Sequence, residues 1–357
     1  MPSDLARQRF AALSALLEAP AAKGPWLVLT HDNPDPDALV SAALLARLIS
    51  RRFHRPVTAA YGGLIGRAEN QEMFRSLRLE LAHIRRLDLT KFKRFALVDA
   101  QPGTGNSQLP AGVVPDVVID HHPLRKATQN GPFYDVRPEY GATATVIAEY
   151  FELAGLEISR TLATGVVYAI RSETREFGRE SAGPDKLVYD AVFTRASKPL
   201  LARIQNARAP LTYFKNLHQA LENLEAVGTL VVSHLGTVEQ PDIVPEIADL
   251  LLRMEGKTWS LATGQFGERV YLSIRTTNPR AEAGHLMRKL VGRRGKGGGH
   301  GMTAGGWVSA ANLSPEERTS LQRQLAARLA KALSKNPDKL VPLVLNGAPA
   351  PPPPAAS

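Results

Sequence analysis

The sequence predicts an α/β fold: a mostly parallel sheet in an N-terminal domain, then a smaller mixed α/β C-terminal domain. Three observations predict it. Short, predominantly apolar runs occur at 26–30 (WLVLT), 95–98 (FALV) and 117–119 (VVI). Helical periodicity separates the first two, and Asp or His follows each run directly. Uninterrupted apolar strands belong to sheets buried on both faces, and strands alternating with helices build parallel sheets.

Taken in order, residues 4–18 read as a helix with Ser3 as N-cap. The strand at 26–30 is followed by a helix over 38–53, in which Leu39, Leu44, Leu45, Leu48 and Ile49 recur at helical spacing. The turn-rich stretch QPGTGNSQLP parts the second strand from the third. Helices over 141–155 and 160–171 complete a first domain ending near 190. Residues 191–226 are helical without strand-like runs and read as a linker. A second domain spans 227–312, with strands at 229–232, 258–264 and 269–274 and a helix over 244–254. A charged C-terminal helix lies within 313–345, where Ser314 and Glu317 have the spacing of a capping box. The Pro-rich end, 346–357, reads as disordered.

Composition limits the function classes. The chain has 357 residues, enough for two domains. With no Cys, disulfides and thiolate metal sites are excluded and a cytoplasmic setting is expected. The first twenty residues carry charges throughout, and no apolar run is long enough to cross a bilayer, so no membrane role is expected. The net charge of +10 suits polyanionic or phosphorylated substrates, or simply a well-solvated basic surface.

In an open parallel sheet, ligands bind where strands end and loops begin. Here the first strand runs into His31, Asp32, Asp35 and Asp37, the second into Asp99, and the third into Asp120, His121 and His122. A single Asp after a strand is ordinarily an Asx-turn or helix cap. Several carboxylates gathered at one rim oppose folding unless a cation neutralises them. Imidazole plus carboxylate without thiolate suits Mn²⁺, with Mg²⁺ or Co²⁺ as substitutes. A pair of such ions is the usual device for hydrolysing phosphate esters.

The segments HDNPDPDALVSA, LVDAQPG and VIDHHP, in this order, resemble the first three motifs of the DHH phosphoesterase superfamily, and GRRGKGGGHGMTAGG at 292–306 resembles the GGGH signature of its DHH-associated C-terminal domain. The resemblance covers residues 24–308 and implies a cleft between a catalytic and a substrate-binding domain. It implies that His31 and Asp35 hold one metal ion, Asp37 and His121 the second, and that Asp99 bridges them. His122 would face the scissile phosphate, with Asp120 orienting a histidine. Asp32 has no counterpart and is expected to make a turn or solvent contact. At the fourth motif Glu173 stands where the family has Asp, so the second ion is the doubtful one. In the second domain Arg275, Arg280, Gly298, Gly299 and His300 are the expected substrate contacts, with the glycine run as a loop.

The function so implied is metal-dependent hydrolysis of short single-stranded oligonucleotides, dinucleotides or nucleotides, as in the branch of oligoribonucleases and phosphoadenosine-phosphate phosphatases, in a chain compatible with a homodimer. The alternatives are an inorganic pyrophosphatase or polyphosphatase, a cyclic-dinucleotide phosphodiesterase, or a weakened nucleotide-binding regulatory protein.

Overall fold

The computed structural model describes residues 2–178, 181 and 183–343, apart from the His300 side chain. The chain divides into two compact units, one up to Arg208 and one from Ala209.

The first unit is built on six parallel strands: β1 (Trp26–Asp32), β2 (Val57–Gly62), β3 (Leu81–His83), β4 (Arg94–Val98), β5 (Val117–Asp120) and β6 (Phe133–Val136). Their order is β3-β2-β1-β4-β5-β6. Strand order therefore reverses between β1 and β4, and a crevice opens at the carboxyl ends of that pair. Its helices are α1 (Asp4–Glu18), α2 (Pro36–Phe53), α3 (Ala68–Ser76), α4 (Thr143–Leu153), α5 (Arg160–Thr174), α6 (Gly183–Phe193) and α7 (Lys198–Gln205). Ser3 caps α1 through Ala6 N, and Asp35 caps α2 through Ala38 N.

Alternate residues of β1 feed two cores, which is why its apolar run has no polar interruption. Trp26 and Val28 join the helices, while Leu27 and Leu29 pack with Phe95, Leu97, Val118 and Ile84. That second core is closed by Leu87, Leu89, Phe92, Leu109 and Val113, from loops and a short 3₁₀ helix (Leu89–Lys91) rather than α-helices. β2, β3, β6 and α3 are not legible in the apolar pattern, because they are short and only partly buried.

The second unit has α8 (Leu211–Glu222), β7 (Leu224–Val227), β8 (Leu230–Thr237), α9 (Ile243–Leu251), β9 (Trp259–Phe266), β10 (Arg269–Thr276), α10 (Ala283–Val291), β11 (Gly295–His300), β12 (Thr303–Ser309), α11 (Pro315–Ala332) and β13 (Val341–Pro342). Its sheet runs β11-β12-β10-β9-β8-β7-β13, antiparallel except for β8 beside β9. α10 and α11 cover one face, and α8 and α9 pack on the other.

Three sequence expectations meet a different arrangement. The helical stretch 191–226 divides between the units: α7 belongs to the first and α8 to the second. The C-terminal helix, placed outside the 227–312 domain, packs into the second unit's core through Leu321, Leu325 and Leu329, while its expected capping box forms. The glycine run is strand β11 rather than a loop. Missing side chains let α10 lie directly on the strand backbone, where a Cβ at Gly284 would come within 2.0 Å of Gly299 O. The Pro-rich segment 346–357 lies outside the described residues.

Candidate metal centre

His31 lies one residue before the end of β1 and Asp99 directly follows β4, side by side across the point where strand order reverses. Asp99 is almost fully buried, with a left-handed φ of 53°, a conformation non-glycine residues adopt rarely and mostly at turns and sites. That turn aims its carboxylate back over the strand ends. Asp99 Oδ2 lies 3.4 Å from His31 Nε2, and Asp99 Oδ1 lies 3.5 Å from His121 Nε2.

Both imidazoles are held the same way. His31 Nδ1 is 2.9 Å from Asp32 O, and His121 Nδ1 is 3.2 Å from Tyr140 O. A carbonyl accepts only, so each Nδ1 carries a proton and donates it, and in the neutral ring Nε2 is the lone-pair atom. His121 Nε2 is buried without a hydrogen-bond partner. Its distance to Asp99 is too long for a hydrogen bond, and an orphaned buried nitrogen beside a carboxylate is what an absent cation leaves behind. Two groups of donors result, His31 with Asp35 and Asp99, and Asp99 with His121 and His122, each with its atoms within 4.8 Å of one another. This donor chemistry fits divalent metal.

His122 belongs to that second group by distance but not by chemistry. Its Nδ1 lies 2.8 Å from Asp120 Oδ1, and a nitrogen donating there does not ligate. Asp120 is buried and also accepts from His121 N and Gln101 Nε2. The His122 side chain is 39% exposed, so it faces outward from a charged, buried anchor. Burial opposes its protonation, but Asp120 and Asp99 outweigh this and raise its pKa to about 9.

Asp37 is fully buried. Rather than capping its own helix, it receives the backbone N–H groups of Thr143 at 2.6 Å and Ala144 at 2.8 Å, at the start of α4. A carboxylate there satisfies orphan donors and complements the helix dipole. Burial and then the Asp99 charge push its pKa up to about 8. Glu173, on the last turn of α5, is raised well above the ordinary carboxylate range by burial and then by Asp35, Asp37 and Asp99, so it faces the same cluster. His31 and His121 are raised, burial being outweighed by the surrounding acids, and Asp35 is lowered, burial being outweighed by His31. Without a cation the protein therefore balances its carboxylates with protons.

Sequence reasoning missed the residues that position this cluster. Gln101, buried in the turn-rich stretch between β4 and β5, donates to Asp120 and accepts from Arg125 N and Thr128 Oγ1. The segment 137–145 touches three of the expected ligands, through Tyr140 O, Thr143 N and Thr143 Oγ1. It is clamped by Asp185, which accepts from Gly141 N and Thr145 Oγ1, and by fully buried Arg137, which pairs with Asp135 and Glu149 and bonds the Tyr140 hydroxyl. The only local signal is GATAT ahead of an apolar helix. Asp32 makes a side-chain contact with Gln108 instead of joining the cluster.

In the second unit, described by itself, the Arg275 guanidinium is turned onto Asp249 at 2.8 Å and is only 12% exposed. Arg280 is exposed, Gly298 and Gly299 lie on β11, and the His300 side chain lies outside the described residues.

Two imidazole-bearing donor groups thus share one carboxylate at the crevice of a parallel sheet, a donor set suited to divalent metal. The chain belongs to the DHH family: the model of the DHH family N-terminal domain matches residues 25–170, and that of the DHHA1 domain matches residues 228–331. An uncharacterized protein of Methanocaldococcus jannaschii is 34% identical over 280 residues, 78% of this chain; the chain spans 56% of that protein's length. The bifunctional oligoribonuclease and PAP phosphatase NrnA of Thermus thermophilus is 25% identical over 302 residues, 82% of this chain and 87% of NrnA. A probable manganese-dependent inorganic pyrophosphatase of Deinococcus radiodurans is 32% identical over 154 residues, 42% of this chain and 47% of that protein. An exopolyphosphatase-related protein from Bacteroides fragilis shares the fold, with a TM-score of 0.72 at 14% identity, covering 92% of this chain and 98% of that one.

Proposed function

We propose that this protein hydrolyses short single-stranded oligonucleotides or dinucleotides to mononucleotides with two Mn²⁺ ions. The observation that carries the reading is Asp99, whose two oxygens each face a different histidine Nε2. His31, Asp35 and Asp99 would hold one ion, and Asp37, Asp99, His121 and Glu173 would hold the other. When bound, such a pair supplies hydroxide near neutral pH and neutralises oxyanions in an in-line displacement at phosphorus.

The chain's own groups do the rest. His122, protonated and fixed through Nδ1 by Asp120, presents Nε2–H to a phosphate oxygen or to the leaving oxygen, which it protonates. Gln101 keeps Asp120 in place. Arg280, Gly298, Gly299 and His300 receive the remainder of the substrate, and Arg275 joins them by exchanging Asp249 for a phosphate. The extent of similarity favours nucleotide over pyrophosphate: the NrnA alignment runs through 82% of this chain, the pyrophosphatase alignment through 42%.

The test is purified protein with Mn²⁺ and a panel of dinucleotide, trinucleotide, cyclic dinucleotide, phosphoadenosine phosphate and pyrophosphate. Mononucleotide release from the linear dinucleotide is expected. Turnover confined to pyrophosphate would overturn the reading.

A further inference from the structure

Residues 283–315 form a 33-residue stretch without one acidic side chain, carrying Arg288, Lys289, Arg293, Arg294 and Lys296. All five are exposed, and among the described residues none of them ion-pairs with a carboxylate. Unpaired cations attract polyanions of any kind; Lys296 lies on the Trp307 side of the sheet, whereas Arg288 and Lys289 belong to α10, which covers the other side.

Trp307 makes its own side selective. Strand register sets Lys296 and Tyr271 on either side of it, on the same side of the sheet as the indole. Its neighbours on β12, Ala304 and Val308, are buried against α10, whereas Trp307 joins neither core of the second unit and stays half-exposed. The Arg269 guanidinium lies over the indole ring, 4.0 Å from its centroid. Farther along the same strand pair, Gly298 faces Gly305, and a Cβ at Gly298 would meet nothing within 4 Å, so bare backbone forms an open floor there. From Thr303 to Trp307 the strip runs about 14 Å at about 3.4 Å per residue, the length of several stacked nucleotides at about 3.4 Å each.

We propose that Trp307, with Arg269, Lys296, Arg293 and Arg294, is a binding strip for the part of a single-stranded nucleic acid that is not being cut. Cations track the phosphates while a base extends the Arg269–Trp307 stack, a mode that tolerates any sequence because every base has a π-face. The strip makes affinity grow with strand length. This rests on the reading of the substrate as a nucleotide chain.

The test uses the full chain in EDTA, where binding is seen without turnover. A pentanucleotide is expected to bind at least tenfold more tightly than a dinucleotide, with quenching of tryptophan fluorescence. Trp307→Ala should abolish that length advantage and Trp307→Phe should restore most of it, both at an unchanged melting temperature. Replacing Lys296, Arg293 and Arg294 together by Ala should flatten the dependence of log affinity on log salt by about 0.7 for each phosphate no longer neutralised. A Trp307→Ala protein that keeps the length advantage would overturn the proposal. So would wild-type protein that binds inorganic polyphosphate as tightly as the pentanucleotide, because no base is then read. If the Mn²⁺-loaded protein leaves dinucleotide intact while Trp307-dependent binding persists, the hydrolytic reading falls and the strip stands.

Discussion

Thr143 donates its hydroxyl to Asp99 Oδ1 at 3.0 Å, and its backbone N–H reaches Asp37 Oδ2 at 2.6 Å. One residue at the start of α4 thereby fixes the rotamers of two carboxylates that arrive from α2 and β4, elements far apart in the chain. Partners that orient ligands are worth about ten- to a hundredfold in metal affinity. Thr143→Val keeps the N–H and the side-chain volume but loses the hydroxyl, and it is expected to weaken Mn²⁺ binding by about that factor. Thr143→Ser should bind nearly normally. Calorimetric titration with Mn²⁺ checks both, and equal affinity in Val and wild type would remove Thr143 from this role.

Asp99→Ala takes the only carboxylate common to both donor groups. Losing several kcal/mol of charge stabilisation corresponds to a drop in kcat/KM of at least about a thousandfold. The variant should also fail to bind a second equivalent of Mn²⁺. Near-normal turnover would refute the shared-ligand assignment.

Metal-free protein should lose stability as pH rises. His122 holds its proton up to about pH 9 in the fold, against about 6.5 when unfolded. Asp37 holds its own up to about pH 8, against about 3.9 when unfolded. Between these limits the folded state binds more protons, so the stabilisation present at low pH is lost on the way up. Asp35 and Asp120 are shifted downward, and act only below about pH 4. In EDTA the melting temperature should fall from pH 6 to pH 9. Because Mn²⁺ displaces those protons, the rise in melting temperature on adding it should be larger at pH 8.5 than at pH 6. A metal-induced rise independent of pH would contradict this.

Arg137 is fully buried between Asp135 and Glu149. Arg137→Met strands two carboxylates and is expected to cost about 3–5 kcal/mol in chemical unfolding. Adding Asp135→Asn and Glu149→Gln should recover most of that loss. A single variant within 1 kcal/mol of wild type, a margin typical of about the median mutation, would show the network to be dispensable.

The strands that carry the site are legible because burial on both faces leaves no polar residue within the apolar runs of β1 and β4, and because Asp or His follows each directly. The Asp and His residues after these strands can be read from position, whereas which of them would ligate is implied only by the resemblance. Gln101, Thr143 and Tyr140 cannot be read from position: two act through polar groups common to any loop or helix start, and Tyr140 acts through its backbone carbonyl, which no sequence distinguishes. The glycine run reads as a loop for a related reason. Its strand character depends on α10 approaching within a Cβ's width, through a packing of Gly284 on Gly299 that lies outside any local window.

In the proposed two-ion centre, Glu173 is the residue on which the second ion depends. The family pattern has a shorter Asp here, but the Glu173 carboxyl already feels Asp35, Asp37 and Asp99 from its place on the last turn of α5. Glu173→Asp withdraws the carboxylate by one methylene, about 1.5 Å. That exceeds the roughly 0.2 Å tolerance of a metal–ligand bond. Glu173→Asp and Glu173→Gln should therefore both bind one Mn²⁺ tightly and the second weakly, with hydrolysis of dinucleotide falling in step. Paramagnetic resonance distinguishes one bound Mn²⁺ from a coupled pair without relying on turnover. A stronger coupled signal in Glu173→Asp than in wild type would mean that this chain carries a weakened site which the shorter acid repairs.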